Sequence, residues 1–276
     1  MSVNKTIGPL KVEQRTEAYW RVALDNPPLN LMDPETADAF HILVGELEAN
    51  AQLKVVVFES AVKDFLMAHV DLLRLSERSE DIGPTGLLPW ADFLKRLELA
   101  PFVTIGLIRG IARGVGSEFL QAFDMRFARR EKATFAQVEV GCGIVPGGGG
   151  LERLPRMVGR GRAMEIICGA DDFDADTAQL YGWVNRSLPD AELDAYVENL
   201  ATRIASFDKE AVALAKQIIN DRVSMASVAE LEDTYQKFRE TLAWPGAQRR
   251  IGLMIHQGLQ TDPAYERDLA KHVAEL

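Results

Sequence analysis

Two glutamates, Glu118 and Glu139, sit in otherwise apolar sequence beside glycine-rich turns, within the run GIARGVGSEFLQAFDMRFARREKATFAQVEVGCGIVPGGGGLERLPR from Gly110 to Arg156. A lone glutamate in such a setting is ordinarily half of a structural ion pair, because a buried charge must be compensated. Two of them next to glycine turns point to chemistry instead. Paired carboxylates in a dry pocket act as general acid and general base, since burial and mutual repulsion push their pKa values apart.

Other chemistries find less support. The only cysteines, Cys142 and Cys168, have no metal-ligand spacing and make no disulfide framework, and both read as small core residues in a reducing compartment. His41, His69, His256 and His272 are scattered, and no pair of them gathers carboxylates, so no metal is expected. The Gly114-Val115-Gly116 turn lacks the third glycine of a dinucleotide fingerprint, and no Gly-x-Ser-x-Gly elbow is present for a serine nucleophile.

The elements that must position the two acids are legible in part. Tyr19–Leu24 and Lys54–Glu59 are short, β-branched and aromatic, as strands are. Between them Asp33-Pro34-Glu35 opens a helix with a cap, a first-turn proline and an acid, and Phe40, Leu43, Val44 and Leu47 follow at helical spacing. Further strands are expected at Val103–Ile108, Met125–Ala128 and Thr134–Phe135, an α/β pattern with crossover connections. The polar, glycine- and proline-bearing stretch between Leu75 and Trp90 reads as a surface loop, either an inert connector or a lid. After Asp190 amphipathic helices are expected at about 190–205, 208–220, 225–242 and 246–258. The change of pattern divides a core of residues 1–205 from a helical region, 206–276.

With 276 residues and 47% hydrophobic composition the chain can bury a sizeable core. A net charge of −10 argues against nucleic acid as a partner. No stretch of about eighteen apolar residues is present and the first residues lack a signal-peptide core, so no membrane is expected and the cytoplasm is the expected location.

The ordered blocks LDNPPLNLM (24–32), VVVFES (55–60), DFLMAHVDLL (64–73), GIARGVGSEF (110–119), FAQVEVGCGIVPGGGGLERLPRMVG (135–159) and DADTAQLYGWVNRSLP (174–189) resemble the crotonase superfamily, the enoyl-CoA hydratase/isomerase family. The resemblance spans most of residues 15–220. It implies a spiral of strand-strand-helix repeats, an α-helical C-terminal trimerisation region giving a homotrimer or dimer of trimers, and a coenzyme A thioester as substrate with no separate cofactor. It also implies an oxyanion hole formed by the backbone N–H groups of Val70 and Val115, in which a polarised thioester carbonyl gains an acidic α-carbon and an electrophilic β-carbon. Glu118 and Glu139 then match the acids of the family's hydratases, one activating water and one supplying a proton to the α-carbon. Ala68, His69, Asp71 and Leu72, around the first oxyanion turn, are the expected substrate contacts.

Two positions depart from the family pattern. Where the family commonly reads Ser-Ala-Gly-Ala-Asp-Leu, this chain reads Met67-Ala68-His69-Val70-Asp71-Leu72, with histidine in place of a conformationally freer glycine. Valine occupies the second donor position, Val115, where its side chain narrows the space beside the donor. His69 itself reads either as an acid, base or phosphate contact near neutral pH or as a residue satisfying a backbone carbonyl. The leading expectation is syn hydration of a 2-enoyl-CoA. The alternatives are an enoyl-CoA isomerase and, from a different class, a catalytically silent acyl-CoA-binding or assembly protein.

Overall fold

The computed structural model describes residues 3–276. The chain opens with a β1 (Val3–Ile7), β2 (Leu10–Gln14), β3 (Tyr19–Leu24) antiparallel meander, followed by α1 (Pro34–Ala49). Helix α1 starts where its residues dictate: Pro34 pre-sets the first helical φ, and the Asp33 carboxylate accepts the Thr36 N–H at 2.8 Å. Three strand-strand-helix turns follow: β4 (Val55–Ser60), β5 (Phe65–Met67) and α2 (Pro89–Leu99); β6 (Val103–Ile108), β7 (Ile111–Arg113) and α3 (Val115–Gln121); β8 (Met125–Arg129), β9 (Thr134–Ala136) and α4 (Gly150–Val158).

In each turn the first strand joins a seven-stranded sheet of order β1-β2-β3-β4-β6-β8-β11, and the second joins a four-stranded sheet of order β10-β9-β7-β5. The chain therefore winds as a spiral. Parallel pairing from β3 through β4, β6 and β8 to β11 buries both faces at the middle of the large sheet, which is why β4 and β6 read as largely apolar runs. Val56 and Phe58 pack with α1 and α2, while Val55 and Val57 pack on the opposite face against Leu193, Val197 and Ala201 of a later helix.

The remaining elements are α5 (Arg160–Gly169), β10 (Phe173–Asp174), α6 (Ala175–Tyr181), β11 (Arg186–Leu188), α7 (Asp190–Ala205), α8 (Lys209–Arg222), α9 (Val228–Leu242), α10 (Pro245–Gln257), α11 (Pro263–Arg267) and α12 (Leu269–Ala274). Helices α9 to α12 form a second core with residues 136–145, in which Ala136, Val138 and Ile144 meet Phe238, Met254 and Tyr265. Leu231 and Phe238 of α9 are thus buried within their own chain, whereas α8 leaves Leu214, Ile218 and Ile219 exposed. Cys142 is buried as expected, but Cys168 is exposed near the end of α5. Among the described residues no helix is long and apolar enough to cross a membrane.

Candidate active site

Glu118 is placed by a helix that is anchored on its other side. Its neighbour Phe119 packs against Phe123, Phe40 and Trp90 with ring centroids 4.6, 5.1 and 5.6 Å away, a cluster that fixes the rotation of the short α3. The Glu118 carboxylate is then 2% exposed and meets the glycine run. Its Oε1 accepts the N–H of Gly148 at 2.8 Å and of Gly150 at 2.9 Å. Only glycine permits this approach, because a Cβ on Gly148 would lie 2.4 Å from Glu118 Oε2. The glycine run that follows Glu139 in sequence thus gives the N–H groups of Gly148 and Gly150 to Glu118.

Glu139 follows β9 and is held more weakly. The Gln137 amide donates to both of its oxygens at 3.2 Å, and Gln137 Oε1 in turn accepts from Gln121 Nε2 at 2.9 Å. Burial raises both acids above the ordinary carboxylate range, Glu118 to about 7 and Glu139 to about 8. The two glycine N–H groups pull Glu118 back down, while the neighbouring Glu118 charge pushes Glu139 further up. Glu118 is therefore the acid that ionises first.

Both carboxylates line one cavity of about 90 Å³, together with Val70 and Val115. Val115 is the first residue of α3, and Val70 follows the small sheet at a parallel bridge to Met32. In that bridge Met32 donates to the His69 carbonyl at 3.0 Å and Asp71 donates to the Met32 carbonyl at 3.1 Å. Among the described residues neither the Val70 nor the Val115 N–H is taken up by a protein acceptor. Two free backbone donors thus border the cavity that holds the two acids. Among the described residues no three His, Cys, Asp or Glu side chains gather as a metal set.

The four residues expected to touch substrate beside Val70 do not line this cavity. Ala68 is packed with Leu29, Phe65 and Ile111. The His69 ring is buried and turned toward the C-terminal segment, with Nδ1 2.7 Å from the Val70 carbonyl and Nε2 2.9 Å from Glu266 Oε1. Both partners are acceptors, an arrangement that favours the doubly protonated, charged ring. Burial pulls against that charge, and the Glu266 carboxylate outweighs it, leaving the histidine raised above its ordinary value. Gln260 continues the clasp, accepting the Leu72 N–H and donating to Asp71 Oδ1, each at 2.7 Å. Histidine is accommodated here because the turn does not require a left-handed residue: the non-glycine positive-φ positions are Asn30, Ala170, Ser224 and Gln260.

Other residues support the acids without a clear signal in the sequence. Arg153 donates to the Gly148 carbonyl at 2.8 Å and to Glu98 Oε1 at 2.6 Å, which fixes the peptide between the two glycines whose N–H groups reach Glu118. Glu98 and Arg153 are 55 residues apart, so no local pattern joins them. The first residue of the polar 75–90 stretch to turn inward is Arg78, which lines the cavity with Trp90 from the start of α2 and Tyr235 and Phe238 from α9.

A family model described as enoyl-CoA hydratase/isomerase matches residues 14–254. The chain is 33% identical over 200 residues to the short-chain-enoyl-CoA hydratase of Clostridium acetobutylicum, covering 72% of this chain and 76% of that protein. It is 42% identical over 117 residues to the crotonyl-CoA hydratase of Syntrophomonas wolfei, covering 42% and 45% of the two chains. A solved structure from Streptomyces avermitilis, put forward as an enoyl-CoA hydratase, superposes with a TM-score of 0.93 at 38% identity over 100% of this chain and 99% of that one. The chain therefore belongs to the enoyl-CoA hydratase/isomerase family.

Proposed function

We propose that the protein adds water in syn fashion across the double bond of a 2-enoyl-CoA, with coenzyme A as the handle of the substrate and no separate cofactor. The observation that carries this reading is the sharing of one buried cavity by Glu118, Glu139 and the unpartnered donors of Val70 and Val115. Glu118, favoured as the ionised acid by two glycine N–H groups, takes a proton from water as its oxygen bonds to the β-carbon. The displaced π electrons move to the thioester oxygen, where the two backbone donors stabilise the enolate. Glu139, the acid held protonated to the higher pH, delivers its proton to the α-carbon as the carbonyl re-forms. Proton exchange between the two acids restores the starting state.

Loss of the conjugated thioester of crotonyl-CoA and of longer 2-enoyl-CoAs, followed with product identification, tests the reading. Conversion of 3-enoyl to 2-enoyl thioesters without hydration would replace it by isomerisation. Binding of a saturated acyl-CoA with turnover of neither class would leave a silent binder. The same assay has an expected pH profile. Activity rises as Glu118 ionises near pH 7 and falls as Glu139 loses its proton near pH 8, giving a narrow bell in kcat/KM whose limbs belong to the coupled pair. A flat profile across both limbs would remove the acid-base pair from the mechanism.

Assembly as a trimer or a dimer of trimers belongs to the same proposal. On α8 and at its two ends, Phe207, Leu214, Ile218, Ile219 and Val223 are between 45% and 60% exposed, an apolar face of the kind that subunit contact covers. Sedimentation should give three or six times the 30.6 kDa chain mass, and a species of 30.6 kDa alone at micromolar concentration would refute the assembly.

A further inference from the structure

Among the described residues Arg78 is the one Lys or Arg lining the cavity of the two acids, and the mechanism above has no use for it. Most of the wall near it is apolar, with Ala37, Pro89, Trp90, Ile144 and Phe238. Its protein acceptor is the Met32 carbonyl, 3.2 Å from Nη2; the wall also carries the solvent-exposed Asp38, but among the described residues no salt bridge joins Arg78 to a carboxylate. A guanidinium has five N–H donors in a planar fork that matches a carboxylate. Here most of that fork is unused beside an apolar wall, where a charge without a counter-charge is costly. The charges of Asp71, Glu118 and Asp33 act on Arg78 through space, but among the described residues none of these carboxylates accepts a hydrogen bond from it, and the cation that pulls Glu118 down is Arg153.

We propose that Arg78 receives a carboxylate on the acyl group of the substrate, which makes the substrate the 2-enoyl thioester of a dicarboxylic acid. The inference rests on the hydratase reading for the position of the reacting carbons. A phosphate of the coenzyme is the other anion that the substrate carries, but the pantetheine arm separates it from the thioester. Arg78 lines the same cavity as Glu118 and Glu139, so an anion that it holds lies in the site of the reacting carbons and not at the far end of the pantetheine arm. The anion at Arg78 therefore belongs to the acyl end. It must point away from Glu118, whose own negative charge opposes it.

The test pairs a 2-enoyl-CoA ending in a carboxylate with one of equal length ending in a methyl group, assayed on the wild-type protein and on Arg78→Met, which keeps an apolar stem. The wild type should prefer the carboxylate substrate. Arg78→Met should lower kcat/KM for that substrate by about tenfold to a hundredfold, the range of a charge-assisted hydrogen bond, and leave the methyl-ended substrate nearly unchanged. Arg78→Lys should recover part of the loss. Equal loss on both substrates, with weaker binding of free coenzyme A, would assign Arg78 to a coenzyme phosphate and overturn the proposal. So would a wild-type preference for the methyl-ended substrate. Calorimetric binding of the corresponding saturated thioesters reads the same preference without turnover, so failure of hydration and failure of carboxylate recognition are separately visible.

Discussion

Glu118→Gln and Glu139→Gln should each lower turnover of an enoyl-CoA by about a hundredfold or more, with the dissociation constant of a saturated acyl-CoA nearly unchanged. The amide keeps the shape of the carboxylate and removes the proton acceptor or donor on which the addition depends. At Glu118 the replacement is structurally mild, because an amide oxygen still accepts the N–H groups of Gly148 and Gly150. At Glu139 it is less so: Gln137 donates to both carboxylate oxygens, and the new NH2 opposes one of those donors unless Gln137 turns and gives up its bond from Gln121. Near-normal turnover in either variant would remove that residue from the mechanism.

Glu118→Gln should also gain stability at alkaline pH. The sign follows from burial, which raises the folded-state pKa of Glu118 to about 7, above its unfolded value. Ionisation is then easier in the unfolded chain, so the native protein loses stability as pH climbs from the ordinary carboxylate range to about 7, and the neutral amide escapes that loss. A site that weakens the fold it belongs to is expected of catalytic groups held in place by the surrounding structure. Thermal unfolding of the wild type and variant on either side of that range measures the difference.

The spiral was legible where local chemistry decides structure. The cap at Asp33, the proline after it and the apolar runs of β3, β4 and β6 each state their element within a few residues. Strands such as β7, β10 and β11, two or three residues long, carry no periodicity to read. Helix α4 starts without a side-chain cap of its own, because its N-cap is Gly149, and the N–H groups of Gly150 and of Gly148 just before it serve Glu118. The two acids stood out because charge in apolar sequence next to glycine demands a reason. What holds them did not, since Arg153 reaches back to Glu98 and the partner of His69 is 197 residues away. Arg78 was hidden differently. It sits among polar neighbours that read as solvated loop, and only the fold determines which of them turns inward.

Gly116→Ala should disable the oxyanion hole while leaving both acids present. Gly116 is the second residue of α3, packed so closely on β5 that a Cβ would lie 2.3 Å from the Met67 carbonyl and 2.9 Å from the Met67 Cβ. Backbone cannot absorb that overlap without moving, and α3 is held on its far side by the Phe119 cluster, so the shift falls on the helix start that carries the Val115 N–H. Loss of one such donor costs about a hundredfold to a thousandfold in turnover. Val115→Gly is the complementary variant: it deletes a side chain from the cavity wall and keeps the backbone donor, so it should widen acyl acceptance without abolishing activity. In a thioester complex of the wild type the carbonyl oxygen should lie within about 3 Å of both backbone nitrogens. The pair of variants separates the donor from the wall that surrounds it. Full activity in Gly116→Ala, with circular dichroism and melting unchanged, would mean that the Val115 N–H does not bear on the reaction, and failure of thioester binding in Val115→Gly would mean that the side chain, not the backbone, holds the substrate.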